Sequence, residues 1–407
     1  MTIKYCRNCK KKNLTNVLSL GNIAFTGKFP KKNFEIKKVN LTLLMCKNCK
    51  LVQLSKNFNL KYLYGPDYGY RTGLNKTMAQ HMKKISLNLS KIVKLRENDA
   101  VLDIASNDGT LLNFYPHNII TFGVDPILDK FKNNYKKINY SINNFFDLKQ
   151  IRKKLKKKFK IITALSVFYD LQNPNLFLDG LKKLIADDGI ILLEFADLHS
   201  ILKYNMFDTI CHEHLEYYSS DVLNNMLKKN NLRIVDIKIN SINGGSKQYF
   251  VCKKEAKFKS NNKKINSILK KEKIFKMNKV STFIKFKENI DKIKFKLLTL
   301  LKAIIQNNKI VHGYGASTKG NVLLQYFGID NKLIPFIAER NPKKYNHYTP
   351  GTNIKIISEK KSRNMKPDYY LVLPWHFKNE IIQREKPIIK KGTFFIFPLP
   401  ILSIVKN

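Results

Sequence analysis

Two histidines, two glutamates and two tyrosines fall within seven positions of the segment Phe207-Asp-Thr-Ile-Cys-His-Glu-His-Leu-Glu-Tyr-Tyr-Ser219. That is too polar for a core strand. An imidazole supplies a base of suitable pKa, a glutamate can orient it, and a phenol can steady an oxyanion. Two other readings stay open. His212 and His214 would share a face if the segment were a strand, but a metal there lacks a third carboxylate ligand. A satisfied surface cluster of histidines is the second.

Cysteine spacing points to a different chemistry. Four of the six cysteines form two like pairs, Tyr-Cys6-Arg-Asn-Cys9-Lys and Met-Cys46-Lys-Asn-Cys49-Lys. Each pair on a tight knuckle can bring two thiolates to about 2.3 Å from one zinc ion, and two knuckles complete a tetrahedron. Four thiolates leave no open position, so the zinc expected on Cys6, Cys9, Cys46 and Cys49 is structural. Cys211 and Cys252 read as ordinary buried thiols.

A third constellation sits on a strand–turn–helix–strand pattern. Ala100-Val-Leu-Asp-Ile-Ala105 is an apolar strand and Ser106-Asn-Asp-Gly-Thr110 a tight turn. Leu111–Tyr115 is expected to open a helix, and Thr121-Phe-Gly-Val-Asp125 is a second strand ending in an acid. This is the order of nucleotide-cofactor sites at the carboxyl ends of parallel strands, with Gly109 permitting close approach and the second-strand acid meeting ribose hydroxyls. Ala105 and Asn107 stand where dinucleotide enzymes use glycine, so a pyrophosphate fits poorly. A cofactor without phosphates, such as S-adenosylmethionine (SAM), fits better, with Asp103 near its ammonium. An acid-capped turn in another α/β fold is the alternative.

The elements that must carry these groups follow from the apolar pattern. Further strands are expected at Phe159–Val167, Gly189–Phe195, Leu232–Ile239 and Gln248–Cys252, the last two as an antiparallel hairpin. Asn243-Gly-Gly-Ser-Lys-Gln248 is a glycine turn opening a strand, suited to backbone contact with a ligand or to a plain hairpin. Phe286, Ile290, Ile293, Leu297, Leu300 and Ile304 line one face of an amphipathic helix. Lys309–Gly320 then reads as strand, glycine turn and helix start in a second α/β unit, whose Lys319 could face a diphosphate.

Length and charge bound the rest. At about 150 residues per domain, 407 residues argue for two or three domains. The 75 basic residues outnumber 30 acidic ones, for a net +45. Lysines run through the whole chain, arginines number only eight, and no helix-turn-helix, ribonucleoprotein or homeodomain signature occurs. A lysine-rich surface is therefore favoured over a specific nucleic-acid partner, while the charge suits an anionic small-molecule substrate. The stretch Thr393–Val405 is broken by Pro398 and Pro400 and falls short of the ~20 apolar residues of a membrane span. With no apolar signal core at the N-terminus, a cytoplasmic location is expected.

Taken in order, these motifs resemble the SAM-dependent C-methyltransferases of deoxysugar biosynthesis, which act on nucleotide-linked 4-keto sugars. The resemblance runs through both cysteine knuckles, Asp67-Tyr-Gly-Tyr-Arg-Thr-Gly73, Asp103–Gly109, His212–Ser219, Gly244-Gly-Ser246, Gly313-Tyr-Gly-Ala-Ser-Thr-Lys-Gly320, Pro350-Gly351 and Pro374-Trp375. It implies His214 as the catalytic base with Glu213 beside it, and Tyr217 and Tyr218 in the catalytic group. It implies a SAM site of Tyr70, Asp103, Ala105, Asn107, Asp108, Gly109, Asp125, Pro126 and Phe145. Tyr68, Gly244, Gly245, Ser246 and Lys319 would touch the substrate. Relatives often have Tyr where this chain has Cys211, and a His after the fourth strand where it reads Phe168-Tyr169-Asp170; Tyr169 is expected beside the cofactor.

The fold expected is α/β: a zinc-binding module (1–62), a helical connection reaching the active site (63–95) and a class I, Rossmann-like SAM methyltransferase domain (96–255). A helical linker (256–306) and a C-terminal Rossmann-like α/β substrate domain (307–407) complete it. The activity implied is methyl transfer to C3 of a nucleotide-linked 4-keto-deoxysugar through a base-generated enolate. Methylation of oxygen or nitrogen on a carbohydrate or other small molecule is the alternative; a basic nucleic-acid-binding zinc protein is a more remote one.

Overall fold

The first 54 positions produce three antiparallel strands, β1 (Leu14–Ala24), β2 (Lys38–Cys46) and β3 (Val52–Leu54). The structure is a computed structural model describing residues 2–31, 36–65 and 68–406. Asp67 of the Asp67–Gly73 motif lies outside the described residues. A short helix α1 (Leu60–Leu63) leads to α2 (Lys76–Val93), whose N-terminus is capped by the Asn75 side chain accepting from the Met78 N–H.

The central domain alternates strands β4 (Ala100–Ile104), β5 (Ile120–Val124), β6 (Tyr140–Ile142), β7 (Phe159–Leu165) and β8 (Ile185–Phe195) with helices α3 (Leu148–Lys154) and α4 (Pro174–Leu184). Helix α5 (Leu198–Lys203), a two-residue strand β9 (Glu216–Tyr217) and helix α6 (Ser220–Lys229) precede β10 (Leu232–Asn240) and β11 (Ser246–Lys253). Seven of these strands form one sheet in the order β10-β11-β8-β7-β4-β5-β6. All run parallel but β11, which is antiparallel to both its neighbours, so the expected hairpin closes the sheet. β4 is buried along its whole length, Asp103 included, as a central parallel strand between helical layers must be. One expectation fails here. Leu111–Tyr115 opens no α-helix; only a 3₁₀ turn forms at Leu112–Phe114. Pro116 follows immediately, and the residue before a proline is pushed out of the helical region.

Beyond the sheet, the expected helical linker is a pair of helices, α7 (Asn262–Ile274) and α8 (Val280–Gln306). The apolar face of α8 buries Phe286, Ile290, Ile293, Leu297 and Ile304 as expected, but through Leu301 in place of Leu300. A four-residue step after Leu297 keeps the 3.6-residue period in line where a three-residue step drifts. The C-terminal domain carries β12 (Val311–Tyr314), α9 (Thr318–Phe327), β13 (Phe336–Glu339), β14 (Lys355–Ser358) and α10 (Glu359–Asn364), followed by β15 (Tyr369–Val372), α11 (Lys378–Lys390), β16 (Phe394–Phe397) and β17 (Ser403–Val405). Its sheet order is β14-β13-β12-β15-β16-β17, parallel except for the last strand. The fold is therefore the expected one: a small N-terminal cysteine module and two Rossmann-like α/β domains.

Two features lock the parts together around the reactive segment. β9 is not part of the central sheet; it pairs antiparallel with β3 as the fourth strand of the N-terminal module. One continuous apolar cluster also joins β1–β3, residues 196–217, α8 and the C-terminal sheet. No helix among the described residues is long and apolar enough to cross a membrane.

Candidate active site

The four cysteines of the knuckles converge. Their sulfurs all lie within 4.8 Å of one another, with Cys6 and Cys49 3.5 Å apart and Cys9 and Cys46 likewise. Four sulfurs at about 2.3 Å from one zinc would stand about 3.8 Å apart, so the group fits the metal as it stands. The knuckles are built alike: Lys10 N–H donates to the Cys6 carbonyl and Lys50 N–H to the Cys46 carbonyl, with both lysines at positive φ. Without a cation the thiols compete for one negative charge. Cys6 is pulled down to about 5 by the Cys49 thiol, while Cys49 goes up for the same reason. Zinc would let all four ionise.

At the carboxyl ends of β4 and β5, the turn after β4 takes left-handed backbone at Ala105, Asn107 and Gly109. Asp125 binds both sides of it, accepting the Asn107 N–H at 2.8 Å on one oxygen and the Ile127 N–H at 2.8 Å on the other. Asp103 accepts from the Thr163 hydroxyl at 2.6 Å, and burial pushes its pKa up to about 7. The connection between α1 and α2 is stitched onto the same turn. The Asn107 side chain accepts the Thr72 N–H and donates to the Tyr70 carbonyl, while Asp108 accepts from the Gly73 N–H and the Arg71 guanidinium. Tyr70 thus overhangs the turn; Pro126 and Phe145 are half-buried. A side chain on Gly109 would strike Ile138 and Tyr135, so its lack of Cβ serves internal packing. The donor set suits SAM: a buried acid for an ammonium, a second for ribose hydroxyls, and no α-helix N-terminus for a phosphate.

The reactive segment is a bend, not a strand, until β9 begins at Glu216. Its two histidines part company there. His212 is fully buried between Phe25 and Phe58. His214 lies partly open against Tyr169, with ring centroids 4.1 Å apart. The only metal-competent cluster among the described residues is the four-cysteine one, so no pair forms here. His214 Nδ1 is 2.7 Å from the Thr209 carbonyl. A carbonyl can only accept, so Nδ1 carries the proton and Nε2 keeps its lone pair. Burial pushes the imidazole down to about 3, against the opposing pull of the Thr209 carbonyl and with help from the Lys319 charge.

In place of the expected orienting glutamate, the Thr209 carbonyl holds the His214 ring. Glu213 faces Gly27, whose Cβ would lie 2.8 Å from its Oε1, and its Oε2 has no partner. Glu216 lies 3.6 Å from the Arg7 guanidinium. Tyr217 and Tyr218 point to opposite sides of the chain. Tyr217 joins the cluster with Cys211 and the N-terminal strands; Tyr218 packs on Phe168 and Phe195 in the core of the central sheet. Burial raises both phenols.

The glycine turn and the C-terminal domain close this face. Lys319, at the start of α9, donates to the Asn243 carbonyl at 2.8 Å, next to Gly244 and Gly245. Gly244 has φ +94, and a Cβ there would lie 2.5 Å from Trp375. Ser246 donates to the Ile242 carbonyl, closing the same turn. Glu339 caps the other glycine turn by accepting the Ala316 N–H.

Three family models match the chain in order: a zinc-binding domain at residues 6–64, a methyltransferase domain at 74–237 and a C-methyltransferase C-terminal domain at 241–400. Over 405 residues it is 26% identical to the C-methyltransferase NovU of Streptomyces niveus, covering 98% of this chain and 96% of that protein. The chain is a SAM-dependent methyltransferase whose three-part organisation is similar to that of C-methyltransferases. Among solved structures, the methyltransferase is similar to a SAM-dependent methyltransferase of Clostridium acetobutylicum (12% identity, 43% of this chain and 91% of that one, TM-score 0.35). It is also similar to magnesium protoporphyrin IX methyltransferase of Synechocystis with bound S-adenosylhomocysteine (17%, 48% and 92%, TM-score 0.33). These likenesses are too distant to bear on its acceptor.

Several contacts around the methyltransferase site escaped the sequence reading. Asp208 accepts from the Trp375 indole at 2.8 Å, tying the reactive segment to the C-terminal domain. Tyr64 donates to buried Asp170 at 2.7 Å, and His81 meets Glu194 at 2.7 Å. Trp375 is the sole tryptophan and Asp208 sits inside the polar segment, so both carried a signal. His81 carried none.

Proposed function

We propose that the methyltransferase transfers a methyl group to C3 of a nucleotide-linked 4-keto-deoxysugar through an enolate. Supporting this above all is the 2.7 Å contact of His214 Nδ1 with the Thr209 carbonyl, which leaves Nε2 free to accept a proton. A C–H beside a ketone is acidic because its anion delocalises onto oxygen, yet it needs a placed base. Bound SAM supplies an electrophilic methyl group.

In this reading His214, with Glu213 beside it, removes the C3 proton, and Tyr68 and Tyr217 surround the keto oxygen, a phenol donor there being worth a few kcal/mol. Tyr218, buried on the other side, supports the strand. Asp103 and Asp125 hold the cofactor ammonium and ribose, with Tyr70, Ala105, Asn107, Asp108, Gly109, Pro126 and Phe145 around them. Gly244, Gly245, Ser246 and Lys319 receive the sugar nucleotide between the central and C-terminal domains. The work divides over residues 1–62, 63–95, 96–255, 256–306 and 307–407.

The test is incubation with labelled SAM and a panel of nucleotide-linked 4-keto sugars. A product methyl on a quaternary carbon, read by mass and NMR, is expected. A methyl resonance shifted by oxygen or nitrogen would replace this reading with heteroatom methylation.

A further inference from the structure

Arg7 stands between two zinc-ligating cysteines, yet its side chain leaves the knuckle. It is buried, with 3% of its surface exposed. Nη1 donates to the Leu54 carbonyl at 2.8 Å and reaches the Leu215 carbonyl at 3.4 Å. Nη2 donates to the Lys56 carbonyl at 2.9 Å and to Asn57 Oδ1 at 2.6 Å. Nε donates to the same Asn57 oxygen and lies 3.6 Å from Glu216 Oε1. Gln53 Oε1 accepts the Arg7 backbone N–H at 3.0 Å.

A buried guanidinium is costly unless its planar fork is filled, and here the fork is filled by the strand beside the reactive segment and by that segment itself. Leu215, which follows His214, is held three ways. Its carbonyl accepts the Leu54 N–H at 2.8 Å as well as Arg7, and its N–H donates to the Tyr169 carbonyl at 2.7 Å. Zinc ligation itself uses only the thiolates and the knuckle turns, so it leaves this side chain unexplained.

We propose that Arg7 is a positioning residue, whose guanidinium clamps β3 to the Leu215–Glu216 backbone and so fixes His214 where it can reach the acceptor. The clamp rests on the reading of His214 as the base only for its effect on turnover. A lysine would keep the charge beside Glu216, but its point-like ammonium cannot span the Leu54, Lys56 and Leu215 carbonyls as the planar fork does.

The test uses full-length, zinc-loaded Arg7→Met and Arg7→Lys. It measures zinc content, SAM affinity, amide hydrogen exchange of peptides spanning 207–219 and 100–125, and kcat and KM for the methylated acceptor. One zinc per chain and SAM affinity within about threefold are expected in both. Exchange of 207–219 should quicken about tenfold or more in Arg7→Met and less in Arg7→Lys, with 100–125 unchanged. A displaced base should lower kcat about 10- to 100-fold in Arg7→Met while acceptor KM stays within about threefold. Wild-type exchange and kcat in Arg7→Met would overturn the proposal, as would zinc loss in both variants, or a collapsed Arg7→Met beside a wild-type Arg7→Lys. Faster exchange in Arg7→Met together with a fully active His214→Asn would support the clamp and remove the base.

Discussion

If His214 is the base and is desolvated by its surroundings as described, activity at saturating SAM should be nearly flat between pH 7 and pH 5. An ordinary imidazole titrates near 6.5, so its neutral fraction falls from about three-quarters at pH 7 to about 3% at pH 5, a drop of roughly 25-fold. His214 is pushed down to about 3, chiefly by burial, and stays about 99% neutral at pH 5. The nearby imidazoles do not titrate in this window: burial holds His212 down to about 4, and His376, beside Trp375 and within reach of the Lys319 charge, is lowered further. The assay is kcat/KM for the acceptor with SAM saturating at each pH. Stability needs a control, because the unfolded chain protonates this imidazole below 6.5 while the native state does not, so stability falls as pH drops from 6.5 toward 3. Returning samples from pH 5 to pH 7 and recovering full activity supplies it. A reversible loss of about 25-fold with an apparent pKa near 6.5 would refute the burial argument.

Other consequences are open to measurement. Asp103 is raised to about 7 by burial, so taking up a cationic cofactor must displace its proton; SAM affinity should weaken about tenfold per pH unit below 7, and a flat calorimetric Kd would contradict the assignment of Asp103 to the ammonium. Gly244→Ala adds a Cβ 2.5 Å from Trp375 at a φ of +94, which should cost about 1–3 kcal/mol and raise acceptor KM; an unchanged melting curve and KM would show that the turn relaxes freely. Stripping the metal with a chelator, or Cys46→Ser, should remove zinc, lower the melting transition by roughly 10 °C or more and abolish turnover, because β9 hangs on β3. Retained turnover in metal-free protein would separate the module from the site.

Much of the architecture was legible because it rests on local pattern. Matched cysteine knuckles, largely apolar parallel strands and the Gly-Gly-Ser turn each declare themselves within a few residues. The missing helix after the cofactor turn could have been read from Pro116, and the Leu300/Leu301 slip from the helical period. What stayed hidden depends on long-range pairing. Nothing near Glu216 says that it completes a sheet begun at Leu14, and nothing near His214 says that a carbonyl five residues back, and not Glu213, fixes its tautomer. Arg7 looked like one more surface cation in a chain of +45.

Carbanion formation at the acceptor can be isolated from methyl transfer. With S-adenosylhomocysteine in place of SAM and the 4-keto sugar nucleotide in D₂O, NMR follows exchange of the C3 proton. The wild-type protein should exchange it, and His214→Asn should do so about 10² to 10⁴ times more slowly. Equal exchange rates in the two proteins would mean that the proton leaves by another route.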